Sequence, residues 1–152
     1  MKIAVFQKKV VRRSIPALIP IIIGSLIYIL WRPLTIRIFS WLDIIGLSIA
    51  VEKLRKLSMS IYPYVPDWVV YSVPNGLWAF SYALIITIIW WRSESIVKYF
   101  WLGSIPILGL GYELLQLRGV IQGTFCWQDL NLCILGIGSG VITGRMVRRK
   151  EK

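Results

Sequence analysis

The chain has 152 residues, suited to one domain, of which 57% are apolar, with a formal net charge of +11 and a mean hydropathy of +0.67. That hydropathy, with eight Trp, excludes an ordinary soluble globule and points to an integral membrane protein, while the absence of His excludes histidine-based zinc sites, histidine general bases and Ser-His-Asp triads. Lys and Arg cluster at the termini and between apolar runs rather than along one face, which excludes nucleic-acid binding in favour of topology signalling and contact with anionic membrane lipids.

In chain order, the first segment carries Lys2, Lys8, Lys9, Arg12 and Arg13 ahead of an apolar run from Ile15 to Trp31. This run ends in YILWRP without a small-residue cleavage motif, so it reads as an uncleaved first span with Pro16 and Pro20 tolerated near its start. Residues 33–57 are interrupted by Arg37 and Asp43 and read as an interfacial or shallow re-entrant helix. Further spans are predicted over 68–91, 96–117 and 125–146. Trp31, Trp68, Trp90, Trp91, Trp101 and Trp127 fall near their ends, as an aromatic belt requires. With four spans and cytoplasmic N- and C-termini, twelve Lys and Arg lie inside and six outside. A fifth crossing through residues 33–57 would put the two basic termini on opposite faces. The predicted fold class is therefore all-α, a multi-pass transmembrane helical bundle of four spans plus an interfacial or re-entrant helix, without internal repeats.

That topology brings Asn75, Glu113, Gln116 and Asp129 to one depth near the outer membrane face. Glu113 and Gln116 are three residues apart and share a helix face with Gly109, where a small residue lets another backbone come close. Asp129, Cys133, Gly136, Gly140 and Gly144 form one stripe on the last span, and its G-x-x-x-G spacing suits close helix packing in lipid. Whatever face of this span packs inward therefore carries Asp129 with it. Gly119 and Gly123 supply the turn before it, and Thr124 is a candidate N-cap that would put Asp129 in the second turn, where the positive helix end favours a carboxylate. Asn75 is a candidate cap in the same sense, and these local roles are alternatives to a site. Glu113 is harder to explain locally, because a carboxyl inside an apolar helix needs a partner, a bound proton or water. Arg118, the nearest cation in sequence, is five residues away and off that face; with Tyr82 and Gln122 it completes a set of accessory candidates. Cys126 and Cys133, about 10 Å apart if on one helix, read as free thiols.

The stretches SVPNGLWAFSY (72–82), YELLQ (112–116) and GTFCWQDL (123–130), with the glycine-bearing helix that follows to Gly144, resemble the VanZ-like family of small bacterial membrane proteins. The resemblance matches Glu113, Gln116 and Asp129 to the family's acidic and amide positions, whereas Asn75 stands where the pattern has an acid, and Cys126 and Cys133 replace its Asp and Asn. It implies a multi-pass protein of the bacterial cytoplasmic membrane, in a family some of whose members are associated with resistance to glycopeptide antibiotics.

Three functions fit these residues. The first is a non-enzymatic protein whose outer-face polar cavity holds a lipid headgroup, a lipid-linked cell-wall precursor or another envelope ligand. The second is an intramembrane enzyme using Glu113 and Asp129 as an acid–base pair. The third is a structural membrane protein whose polar residues join helices. No nucleophile, metal cluster or phosphate-cradling loop accompanies the carboxylates, so no catalytic residue, metal or cofactor is assigned.

Overall fold

The computed structural model describes residues 14–121 and 124–149. The basic stretch before Ser14, the accessory candidate Gln122 and the turn glycine Gly123 lie outside the described residues. Within them every regular element is helical: α1 (Leu18–Trp31, entered through a 3-10 turn at Ile15–Ala17), α2 (Arg37–Ile44), α3 (Ser48–Ser58), α4 (Asp67–Tyr71), α5 (Val73–Trp90), α6 (Val97–Leu117) and α7 (Trp127–Arg149). Asp67–Trp90, Val97–Leu117 and Trp127–Arg149 are long and apolar enough to cross a membrane, whereas Ile15–Trp31 is a shorter apolar helix. Large apolar side chains such as Ile19, Leu26, Ile107, Leu108, Leu135 and Ile142 lie exposed on these helices, a surface suited to lipid rather than water.

Helix α5 is the axis of the bundle. Its buried residues include Gly76, Ala79, Ala83, Leu84, Thr87 and Ile88, which face several directions around the helix. Pro74 sits in its first turn, where a missing N–H removes no helical bond, and Ser72 alone separates α5 from α4. The most extensive contact is between α5 and α7. A Cβ added at Gly136 would collide with the carbonyl oxygen of Gly76, and one at Gly140 with that of Phe80. A Cβ at Gly144 would lie 2.7 Å from Thr87 Cβ. Matched in rising order, these pairs make α5 and α7 parallel and hold them backbone to backbone, the arrangement expected of the glycine stripe.

Gly109 differs from its expectation. The group above it is the Ile137 side chain, 2.6 Å from a Cβ built there, so the glycine receives a side-chain knob of α7 rather than a backbone. Helix α6 runs antiparallel to α5, with Trp101 near its start stacked on Trp90 near the end of α5 at 6.1 Å. Helix α1 also opposes α5: Ala17 packs with Leu84 and Ile88, while Gly24 lies under the Trp78 indole.

Residues 33–57 form two short helices rather than one. Gly46 takes φ +75°, and the Gly46 N–H to Asp43 carbonyl (2.9 Å) and Leu47 N–H to Leu42 carbonyl (2.8 Å) bonds close α2 in a Schellman turn. Helix α3 is then tied to α1 by Arg55 Nη1, which donates to the Ile29 carbonyl at 2.6 Å. Its apolar neighbours Ile44, Ile45, Ile49 and Leu57 are exposed.

Gly136→Ala and Gly140→Ala should each destabilise the protein by about 1–3 kcal/mol through overpacking. Gly138→Ala, at a position with nothing within 4 Å of the added Cβ, should be neutral or slightly stabilising. Unfolding of the detergent-solubilised protein measures all three.

Candidate functional site: a polar cavity at one end of the bundle

The helix directions put the end of α1, the start of α4–α5, the end of α6 and the start of α7 together. They line an open cavity of about 930 Å³. Of the residues expected there from sequence, Asn75, Tyr82, Glu113, Gln116 and Asp129 all line it, as do Gly109 and Cys133. Arg118 does not: it follows the last turn of α6 and is exposed.

Each polar group has a local cause. Helix α6 stops just beyond Gln116 because Gly119, at φ +67°, accepts the left-handed turn, with Gly119 N–H to Gln116 carbonyl and Val120 N–H to Leu115 carbonyl bonds of 2.9 Å. The chain then returns and starts α7 at Trp127, where the Cys126 carbonyl accepts from the Leu130 N–H at 3.1 Å. Thr124 therefore lies too early to cap α7, and Asp129 belongs to the first turn rather than the second. The favourable helix end is closer to the carboxylate than expected.

Asn75 is likewise not a cap. It sits inside the first turn of α5, and its amide nitrogen donates to Asp129 Oδ2 at 3.4 Å and to the Tyr71 carbonyl at 3.5 Å. Glu113, only 6% exposed, lies near the backbone N–H of Cys126 and within electrostatic reach of Asp129. Glu113 Oε2 and Asp129 Oδ1 are shielded from solvent and have no hydrogen-bond partner. Neither carboxylate forms an ion pair with a Lys or Arg among the described residues, where the pair Glu52–Lys56 at 2.9 Å is remote on α3. No family model, curated protein or solved structure matches the chain.

The sequence reading missed Arg32. Counted there only as a topology charge, it lines the same cavity, with its guanidinium carbon 5.1 Å from the Tyr28 ring centre and 4.5 Å from that of Tyr71. Its Nη2 donates to the Tyr71 carbonyl at 3.0 Å, and its Nε has no partner. The signal was present: an Arg that closes the first apolar run stands at the depth where Asn75 and Glu113 were placed. Aromatic lining by Trp78 and Tyr112 was also missed.

Both free cysteines border the cavity without approaching a disulfide. No group of three or more His, Cys, Asp and Glu suited to a metal occurs among the described residues. The cavity can therefore offer the carboxylates of buried Glu113 and half-buried Asp129, an exposed third carboxylate at Asp67, the amides of Asn75, Gln116 and Gln128, and one clamped guanidinium to a guest, against aromatic walls.

Tyr82 has a bracing role here. Ser104 Oγ donates to the Trp101 carbonyl at 2.6 Å, so the Tyr82 hydroxyl, 2.6 Å from Ser104 Oγ, is the donor between them and links α5 to α6. Tyr82→Phe and Ser104→Ala should each lower stability by about 0.5–1.5 kcal/mol. Their double mutant should lose less than the sum of the two, which a double-mutant cycle of unfolding free energies measures.

Proposed function

We propose that this chain is a VanZ-like, non-enzymatic integral membrane protein of the bacterial cytoplasmic membrane. It binds a lipid headgroup, a lipid-linked cell-wall precursor or another envelope ligand in its polar cavity. In this reading α1, α4–α5, α6 and α7 supply four crossings, α2 and α3 lie in the interface, both termini are cytoplasmic and the cavity opens at the outer face. The positive-inside count supports that orientation, as does the position of Arg145, 3.9 Å over the Trp91 ring at the end away from the cavity. The exposed apolar side chains around Gly46 support an interfacial α2–α3. A link to glycopeptide resistance rests on the family resemblance alone.

The observation that carries the reading is the meeting of buried Glu113 with Asp129 in one cavity, with no Lys or Arg ion-paired to either among the described residues. In an apolar surround such groups are retained for a partner they bind or a pathway they line. A purely structural pair would be expected to satisfy both carboxylates internally, and each keeps an oxygen without a partner.

Thermal unfolding of the purified full chain against a panel of envelope lipids and a lipid-linked cell-wall precursor tests this. A true ligand at a hundred times its Kd should stabilise the fold by about 2.7 kcal/mol. Glu113→Gln should keep the unliganded melting temperature and lose the protection. A panel without any protecting member, or a Glu113→Gln protein that cannot fold in any condition, would favour the structural role.

A further inference from the structure

The proposed function leaves the ligand's chemistry open, and the cavity wall narrows it. Four shielded, unpartnered polar atoms belong to residues that line the same cavity: the acceptors Glu113 Oε2 and Asp129 Oδ1, the donor Arg32 Nε, and the Ser72 hydroxyl, which can serve as either. Glu113 is more than nine-tenths buried, so its unpaired oxygen is costly unless a guest satisfies it. The remaining bonding capacity of these groups is partly committed. Asp129 Oδ2 accepts from the Asn75 amide, Glu113 lies near the Cys126 N–H, and Arg32 Nη2 donates to the Tyr71 carbonyl. What is left over is complementary to a molecule with N–H donors and positive charge at one end and an anionic acceptor at the other.

Resting on that reading of the cavity, we propose that the site recognises a phosphodiester carrying a primary ammonium, the chemistry of a phosphoethanolamine headgroup. The ammonium lies between Glu113 and Asp129 and gives each carboxylate an N–H. The phosphate accepts from Arg32, whose guanidinium is already held by the Tyr28 and Tyr71 rings and the Tyr71 carbonyl and so loses little freedom on binding. A quaternary ammonium satisfies the charge and would stack on Trp78 or Tyr112, but it carries no N–H for the two unpaired oxygens. An anionic headgroup without an amine sets its charge against Glu113 and Asp129, with Asp67 a third carboxylate in the cavity wall. The same chemistry can arrive on a membrane lipid or on a free glycerophosphodiester, and the test separates these sources.

Native mass spectrometry of the full chain in detergent, with short-chain phosphatidylethanolamine, phosphatidylcholine and phosphatidylglycerol in competition, reads the preference. Phosphatidylethanolamine should bind at least about tenfold more tightly than either competitor, as expected for charge-assisted hydrogen bonds to a buried acceptor. Glu113→Gln should bring the ethanolamine-to-choline ratio close to one; Asp129→Asn carries the same test should the first variant fail to fold. Arg32→Gln should weaken binding of ethanolamine and choline lipids alike while leaving their ratio unchanged. Soluble glycerophosphoethanolamine that competes as well as the lipid identifies a free headgroup as the source, and failure to compete identifies the lipid; both keep the proposed chemistry. Equal binding of the ethanolamine and choline lipids, preference for phosphatidylglycerol, or an unchanged ratio in both carboxyl variants would overturn the proposal. Binding of some headgroup without ethanolamine preference sinks only this inference, whereas no displaceable binding of any headgroup sinks the proposed function as well.

Discussion

The backbone contact between α5 and α7 is the constraint on which the rest depends. Gly136 and Gly140 face the carbonyls of Gly76 and Phe80 so closely that neither position admits a Cβ without movement of main chain. In a helix bundle surrounded by lipid there is little hydrophobic force between helices, so dense packing of this kind must supply the association. The contact also has a register, and that register places the first turn of α7 beside the first turn of α5. Asp129 reaches Asn75 because Gly136 lies on Gly76.

Around that pair the other elements complete an electrostatically unbalanced chamber. Helix α6 lowers Glu113 into it and ends at once, since Gly119 turns the chain away after Gln116. Helix α1 brings Arg32, but the guanidinium is held by two tyrosine rings and a main-chain carbonyl rather than by a carboxylate. Charges of both signs therefore line one cavity, and Arg32, Glu113 and Asp129 each keep an unused hydrogen-bonding atom. Direct pairing of Arg32 with Glu113 or Asp129 would have closed the chamber to a guest; their separation is what makes the arrangement suited to a zwitterion. The aromatic walls add a surface that is apolar enough to strengthen these interactions and polarisable enough to hold a cation.

Much of this was legible in the sequence because it depends on periodicity. The G-x-x-x-G stripe of α7, the i, i+3 relation of Glu113 and Gln116 and the apolar lengths of three long helices are properties of a helix that any packing preserves. Features set by chain termination or by distant contacts were less readable. Gly46 splits residues 33–57 in two because its left-handed φ closes α2, and nothing in the local apolar pattern distinguishes that from a continuous helix. Thr124 has the chemistry of a cap, yet the chain needs it in the return from α6, so α7 starts later at Trp127. Gly109 lies on the right stripe for a close backbone, but the neighbour at that height is Ile137, whose side chain fills the space. Arg32 was hidden for a different reason: its charge is also a topology signal, and only the approach of the Tyr28 and Tyr71 rings to it reveals a second role.

The central claim is that side chains from four separate helix ends share one water-accessible chamber at a single end of the bundle. Single cysteines test it directly in proteoliposomes of defined orientation, in a Cys126→Ser, Cys133→Ala background exposed to a membrane-impermeant maleimide. Asn75→Cys, Gln116→Cys and Gln128→Cys should all react from the same face, and Ser93→Cys, in the turn after α5, only from the other. Labelling of any of the first three from the face that labels Ser93→Cys would contradict the account.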